Sequence, residues 1–154
     1  MFGLYVEKLN EDYFTDFSEI FDALGNIAKE YNWLISDYMC NVYPLEKIKE
    51  GREYVWLSGD EIVDVLRGQE IQFIWGVFSA FKKVVKLDDI LKYPLPFADG
   101  NPSFREENFS VQNPLADFEI ISVDSTCLLA ISKTKDIIDL LAKEYPDSVD
   151  LREI

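Results

Sequence analysis

The eleven residues from Ile71 to Phe81 constrain this chain more than any other stretch. They are dense in β-branched and aromatic side chains and apolar on both alternating faces, as expected of a central strand in a covered sheet. The elements around it follow from periodicity and punctuation. Phe2 to Val6 reads as a short strand. Phe14, Phe17, Ile20, Phe21, Leu24, Ile27, Ala28 and Tyr31 recur at three- and four-residue spacing, which predicts an amphipathic helix with Asp16, Glu19, Asp22 and Glu30 on its outer face. Trp33 to Val42 reads as a strand, and Pro44 to Gly51 as a polar connection.

Tyr54 to Leu57 forms a further short strand. It runs into Ser58-Gly59-Asp60-Glu61, a capping box in which Ser58 and Glu61 satisfy free backbone donors at a helix start. That helix is expected to stop at Gly68. Leu87 to Tyr93 suits a short helix. Phe118 to Val123 and Cys127 to Ile131 suit two strands around an Asp124-Ser125-Thr126 turn. A last helix begins near Ser132 or Thr134, passes through Ile137, Ile138 and Leu141, and ends before Pro146. Short connections between neighbouring strands predict an α+β fold. We expect one domain over residues 1–154, with a mostly antiparallel sheet of about six strands covered by three to four helices.

Charge bounds the function. The chain has 29 acidic residues against 15 basic ones and no histidine, for a net charge of −14. Such a field attracts cationic surfaces and repels nucleic acid and anionic lipid. The missing histidine removes the commonest neutral-pH general base and metal ligand. Apolar residues make up 48% of the chain, so the charge belongs to a folding domain and not to a disordered one. It is also spread out, with local nets of −5, −4 and −5 over residues 1–31, 32–116 and 117–154.

Cys40 and Cys127 lie in apolar segments and read as buried thiols of a reducing compartment. The first residues lack the basic start and apolar run of a signal peptide, and Ile71 to Phe81 is too short to span a bilayer. Cytoplasmic localisation, with no membrane or nucleic-acid partner and no cofactor, is the resulting expectation.

The segment from Pro94 to Pro114 stands out. It holds four of the six prolines, shows no clear periodicity, and places Phe97, Phe104 and Phe109 among Asp99, Glu106 and Glu107. Long irregular connections in compact domains are uncommon and often functional. Aromatic anchors flanked by steering charges suit a protein interface. The competing account is a surface loop whose phenylalanines pin it to the core.

Asp99-Gly100-Asn101-Pro102-Ser103 has the look of a calcium loop but fails its spacing, with Phe104 where the glycine belongs and Ser110 where the glutamate belongs. Asp117, Glu119 and Asp124 form the best carboxylate cluster, yet strand alternation sends Asp124 to the opposite face. Trp33, Trp56 and Trp75 are expected in the core. Trp75, beside Gly76, has a second reading as a strand bend or an approach to a ligand.

Five short stretches carry a resemblance: Tyr31-Asn32-Trp33-Leu34-Ile35, Trp56-Leu57-Ser58-Gly59-Asp60-Glu61, Phe78-Ser79-Ala80-Phe81, Phe118-Glu119-Ile120 and Val123-Asp124-Ser125. In this order they resemble small acidic bacterial proteins, including immunity-protein families that neutralise a toxin of the same or a neighbouring cell. The resemblance implies a cytoplasmic binding protein and transfers no functional residue. With the charge it favours a non-enzymatic, immunity-type inhibitor. Such a protein would cover the basic active site of a cognate toxin such as a nuclease, with Phe97, Asp99, Phe104, Glu106, Glu107 and Phe109 as the partner-binding residues. The alternatives are an adaptor or regulatory protein-binding domain, and a small-ligand or metal-binding protein.

Overall fold

The central stretch does form a central strand. In the computed structural model, described over residues 1–7, 17–41, 47–67 and 71–154, β4 (Phe73–Lys82) pairs with β2 (Tyr31–Cys40) on one side and β5 (Phe118–Val123) on the other. Among the described residues the sheet has seven strands and not six. It adds β1 (Phe2–Glu7), β3 (Tyr54–Ser58), β6 (Cys127–Ser132) and the two-residue β7 (Val149–Asp150), in the order β3-β2-β4-β5-β6-β1-β7. Every neighbouring pair runs antiparallel. Phe14, Asp16, Val42, Pro44 and Gly68, which entered the sequence reading, lie outside the described residues.

Among the described residues there are five helices: α1 (Phe17–Leu24), α2 (Asn26–Lys29), α3 (Gly59–Leu66), α4 (Leu87–Ile90) and α5 (Lys135–Glu144). The expected first helix is split, because the chain turns at Gly25, where φ is +57°, a value glycine adopts without a steric penalty. Tyr31 therefore opens β2 instead of closing a helix. The capping box forms as read: Ser58 Oγ accepts the Glu61 N–H at 3.1 Å, and Glu61 Oε1 accepts the Ser58 N–H at 3.1 Å.

Helices α1, α2, α3 and α5 cover one face, whereas α4 lies on the other, within the β4–β5 connection. Phe17 of α1 stacks on Phe78 at 4.0 Å between centroids, and Phe21 packs on Trp33 at 4.7 Å. Trp33 is fully buried, and its indole N–H donates to Ala28 carbonyl at 2.9 Å. Ile62, Leu66, Ile137 and Leu141 complete this layer from α3 and α5. The opposite face carries Leu34, Val77, Phe81, Ile121, Leu129 and Ile131, with Trp56 and Trp75 packed beside them. No helix from the first layer reaches it. Its cover is the β4–β5 connection, which supplies Ile90, Ala98, Phe104, Phe109, Val111 and Ala116, together with Leu151. The strands that read as apolar on both faces thus sit between a helical layer and a largely irregular one that includes α4.

Candidate binding site

The β4–β5 connection is irregular but wired to the sheet at two points. The first is a bulge in β2, where the pairing register with β4 shifts between Ser36 and Met39 and Asp37 takes a φ of +47°. Bulges re-aim side chains. Here Asp37 Oδ2 accepts two consecutive backbone N–H groups, those of Ala98 at 2.7 Å and Asp99 at 2.9 Å. Its neighbour Ser36 donates its hydroxyl to Pro96 carbonyl at 2.7 Å.

The second point is Glu119 on β5, which is completely buried. It too accepts two consecutive N–H groups, Gln112 at 2.9 Å through Oε2 and Asn113 at 3.2 Å through Oε1, and the Ser79 hydroxyl donates to it at 3.3 Å. Burial pushes this carboxyl up from 4.5 to about 7, against the pull of those donors and of the Lys133 charge. Two carboxylates thus grip the loop near its two ends. Each supplies acceptors to backbone groups that would otherwise be buried without partners.

Inside the loop, Asn101 Nδ2 donates to Phe97 carbonyl at 2.9 Å and to Gln112 Oε1 at 3.0 Å. Asn101 also caps a 3-10 turn, Pro102–Arg105, by accepting the Ser103 N–H at 3.0 Å. Asn113 Nδ2 ties the loop back to Ile90 carbonyl at 3.2 Å.

The six residues expected to bind a partner separate into two groups. Phe97 is 46% exposed, and Asp99, Glu106 and Glu107 are exposed with it. Phe104 and Phe109 are turned inward, at 5% and 6% exposure, and belong to the core of the second sheet face. They follow the competing account of loop-pinning residues. Their aromatic character gave no sign of direction, because the same composition serves a core and an interface.

The carboxylates Asp117, Glu119 and Asp124 do not converge. Asp117 faces Lys82 at 3.7 Å, Glu119 is enclosed under the loop, and Asp124 sits exposed in the β5–β6 turn at φ +49°. Among the described residues, no group of three or more His, Cys, Asp or Glu side chains is placed to hold a metal ion. Sequence reasoning missed Asp37 altogether. The available signal was an aspartate interrupting the apolar run Trp33 to Cys40, a residue type depleted in strands.

Two hollows flank the 3-10 turn, and Asn101 borders both. The outer one, about 340 Å³, is lined by Leu95, Phe97, Glu106, Phe109 and Gln112 among others. The inner one, about 650 Å³, lies between the turn and the sheet. Tyr5, Trp75, Phe104, Val123 and Leu129 form its walls, with Arg105 and Cys127 at its polar side. Trp75 packs against the core of the second face, as expected, and also borders this hollow. Cys40 and Cys127 are not joined to each other; Cys40 is buried, whereas Cys127 is only half-buried. Burial raises the Cys127 thiol and the Tyr5 hydroxyl above their ordinary values, and nearby Arg105 opposes the rise in each.

No family model, curated protein or solved structure matches the chain. Among the described residues no helix is long and apolar enough to cross a membrane.

Proposed function

We propose that this chain is a non-catalytic binding protein that captures a basic protein partner on the outer rim of the 94–114 loop, in the manner of an immunity protein neutralising a toxin. The observation carrying this reading is the exposed Phe97 ring, which stands with Asp99, Glu106 and Glu107 on a loop whose backbone is already fixed by Asp37, Asn101 and Gln112. An ordered loop loses little entropy on docking. An exposed aromatic supplies an anchor, and carboxylates around it raise the rate of encounter with a cationic surface. The net charge of −14 adds a long-range field of the same sign.

The test is co-expression with a basic toxin encoded beside the gene, followed by binding kinetics on the purified pair. The unaltered chain is expected to restore growth. Neutralising Asp99, Glu106 and Glu107 together is expected to slow association and to remove its salt dependence, and Phe97→Ala to speed dissociation. Full protection and unchanged kinetics in both variants would exclude this surface.

A further inference from the structure

The inner hollow does not belong to the proposed partner surface: Phe97, Asp99, Glu106 and Glu107 are absent from its lining. Its volume of about 650 Å³ lies within the range of small-molecule sites, roughly 300–1,000 Å³. Its construction is also that of a ligand site, with apolar walls and a few polar groups gathered on one side. The walls come from four different strands (Tyr5 of β1, Trp75 of β4, Val123 of β5 and Leu129 of β6), with Phe104 of the 3-10 turn on the opposite side.

Among the described residues lining the hollow, Arg105 has the one charged side chain. Its guanidinium makes no ion pair with any described carboxylate, although the chain carries 29 acidic residues and five other ion pairs form among the described ones. Two further groups share its corner. The Tyr5 hydroxyl and the Cys127 thiol both feel the Arg105 charge, and burial raises each above its ordinary value. Asn101 Nδ2 is already engaged by Phe97 and Gln112, the Cys127 thiol donates to Val123 carbonyl at 3.9 Å and the Tyr5 hydroxyl is hydrogen-bonded to Cys127, so the polar set left to a ligand is the Arg105 cation beside two groups that already have partners. A carboxylate matches that set, and an arginine fork binds one with two parallel hydrogen bonds. Glu7 faces the same corner, acting on both Tyr5 and Cys127, and opposes an incoming anion.

We propose that the hollow between the sheet and the 3-10 turn binds a small amphipathic carboxylate, with its apolar body against Trp75, Phe104, Val123 and Leu129 and its carboxylate on Arg105. The site is distinct from the outer rim. Either can therefore fail without the other.

The test is calorimetric titration of the full chain with decanoate, decanol and decyltrimethylammonium, with the tryptophan emission followed in parallel in the unaltered chain and in a Trp75→Phe variant. Decanoate is expected to bind saturably at one equivalent and to change the Trp75 emission, with decanol weaker and the cation weakest. Arg105→Gln is expected to weaken decanoate by about tenfold or more, the loss of a charge-assisted contact. Glu7→Gln is expected to tighten it by about twofold through removal of a repulsive charge. Opposite signs in two exposed single-residue variants cannot both come from misfolding. No saturable binding below about 1 mM, equal affinity for decanoate and decanol, or an affinity indifferent to Arg105→Gln would overturn the proposal.

Discussion

The side-chain amide of Gln112 pairs with both backbone groups of Phe97: Oε1 accepts the Phe97 N–H at 2.9 Å, and Nε2 donates to the Phe97 carbonyl at 3.1 Å. One side chain thereby stands in for a missing strand neighbour and fixes the backbone that carries the exposed phenyl ring. Gln112→Ala is expected to cost about 1 kcal/mol of stability and to accelerate hydrogen exchange at the Phe97 amide, while leaving exchange in β4 and β5 at the rate of the parent chain. Unchanged protection at Phe97 would show that the pairing carries no weight.

Asp37 combines a positive φ with a carboxylate that holds two loop amides. The two demands separate by substitution. Asparagine tolerates the left-handed region and keeps an acceptor, whereas alanine has neither advantage. Asp37→Ala is expected to lose about 2–3 kcal/mol in urea denaturation, and Asp37→Asn less than half of that. Equal losses would mean that the charge of the carboxylate on the loop amides dominates, and not the backbone conformation of the bulge.

Glu119 makes stability depend on pH. Its carboxyl is raised from 4.5 to about 7 in the folded chain, so between those values the folded state binds a proton that the unfolded state has released. Stability from this group is therefore full below about pH 4.5, falls as pH rises towards 7, and is level above it. The span corresponds to roughly 3 kcal/mol at most. Glu119→Gln is expected to flatten this component in urea midpoints measured at pH 5 and pH 7.5. It is also expected to be less stable than the parent at pH 5, because a side-chain amide cannot accept hydrogen bonds at both ends. A slope identical to that of the parent would assign the dependence to other carboxylates.

Two glycines sit where a β-carbon would collide, and the obstacles differ. At Gly59 the added atom would lie 2.5 Å from Ala28 carbonyl oxygen and 2.5 Å from Lys29 Cα, both backbone. At Gly3 the nearest atoms are at the tip of the Phe109 ring, 2.7 Å away, with Leu151 Cβ at 2.8 Å. A ring can swing, whereas the α2 backbone cannot move without disturbing Trp33, which bonds to the same carbonyl. Gly59→Ala is expected to cost about 3 kcal/mol or more and Gly3→Ala about 1–2 kcal/mol by thermal denaturation. The reverse order would mean that the α2–α3 contact yields more easily than the loop.

The parts of the fold legible in the sequence are those written in local chemistry. Ser58 and Glu61 declare a helix start because both hydrogen bonds lie within four residues, and the strand Phe73–Lys82 declares itself by composition. The break at Gly25 was visible only as a glycine inside a periodic run, where helix continuation and interruption read alike. Residues whose partners are distant in sequence stayed hidden. Asp37 meets Ala98 and Asp99, and Ser79 meets Glu119; no local pattern marks either pairing. The same holds for Phe104 and Phe109, whose inward direction depends on the apolar sheet face they cover. β7, two residues long, has too few positions for any periodicity.

The place of β1 between β6 and β7 bears on how the chain reaches its fold. Phe2 pairs with Ser132 and Tyr5 with Val149, so both neighbours of this strand are synthesised long after it. β5 and β6 can zip across their short turn as soon as they emerge. β1 must instead hold Leu4 and Val6 in reserve, apolar and unpaired. Pairings of such long sequence separation slow folding and lengthen the time during which a nascent or refolding chain can associate wrongly. A strand near one end of the sequence finds both of its neighbours near the other.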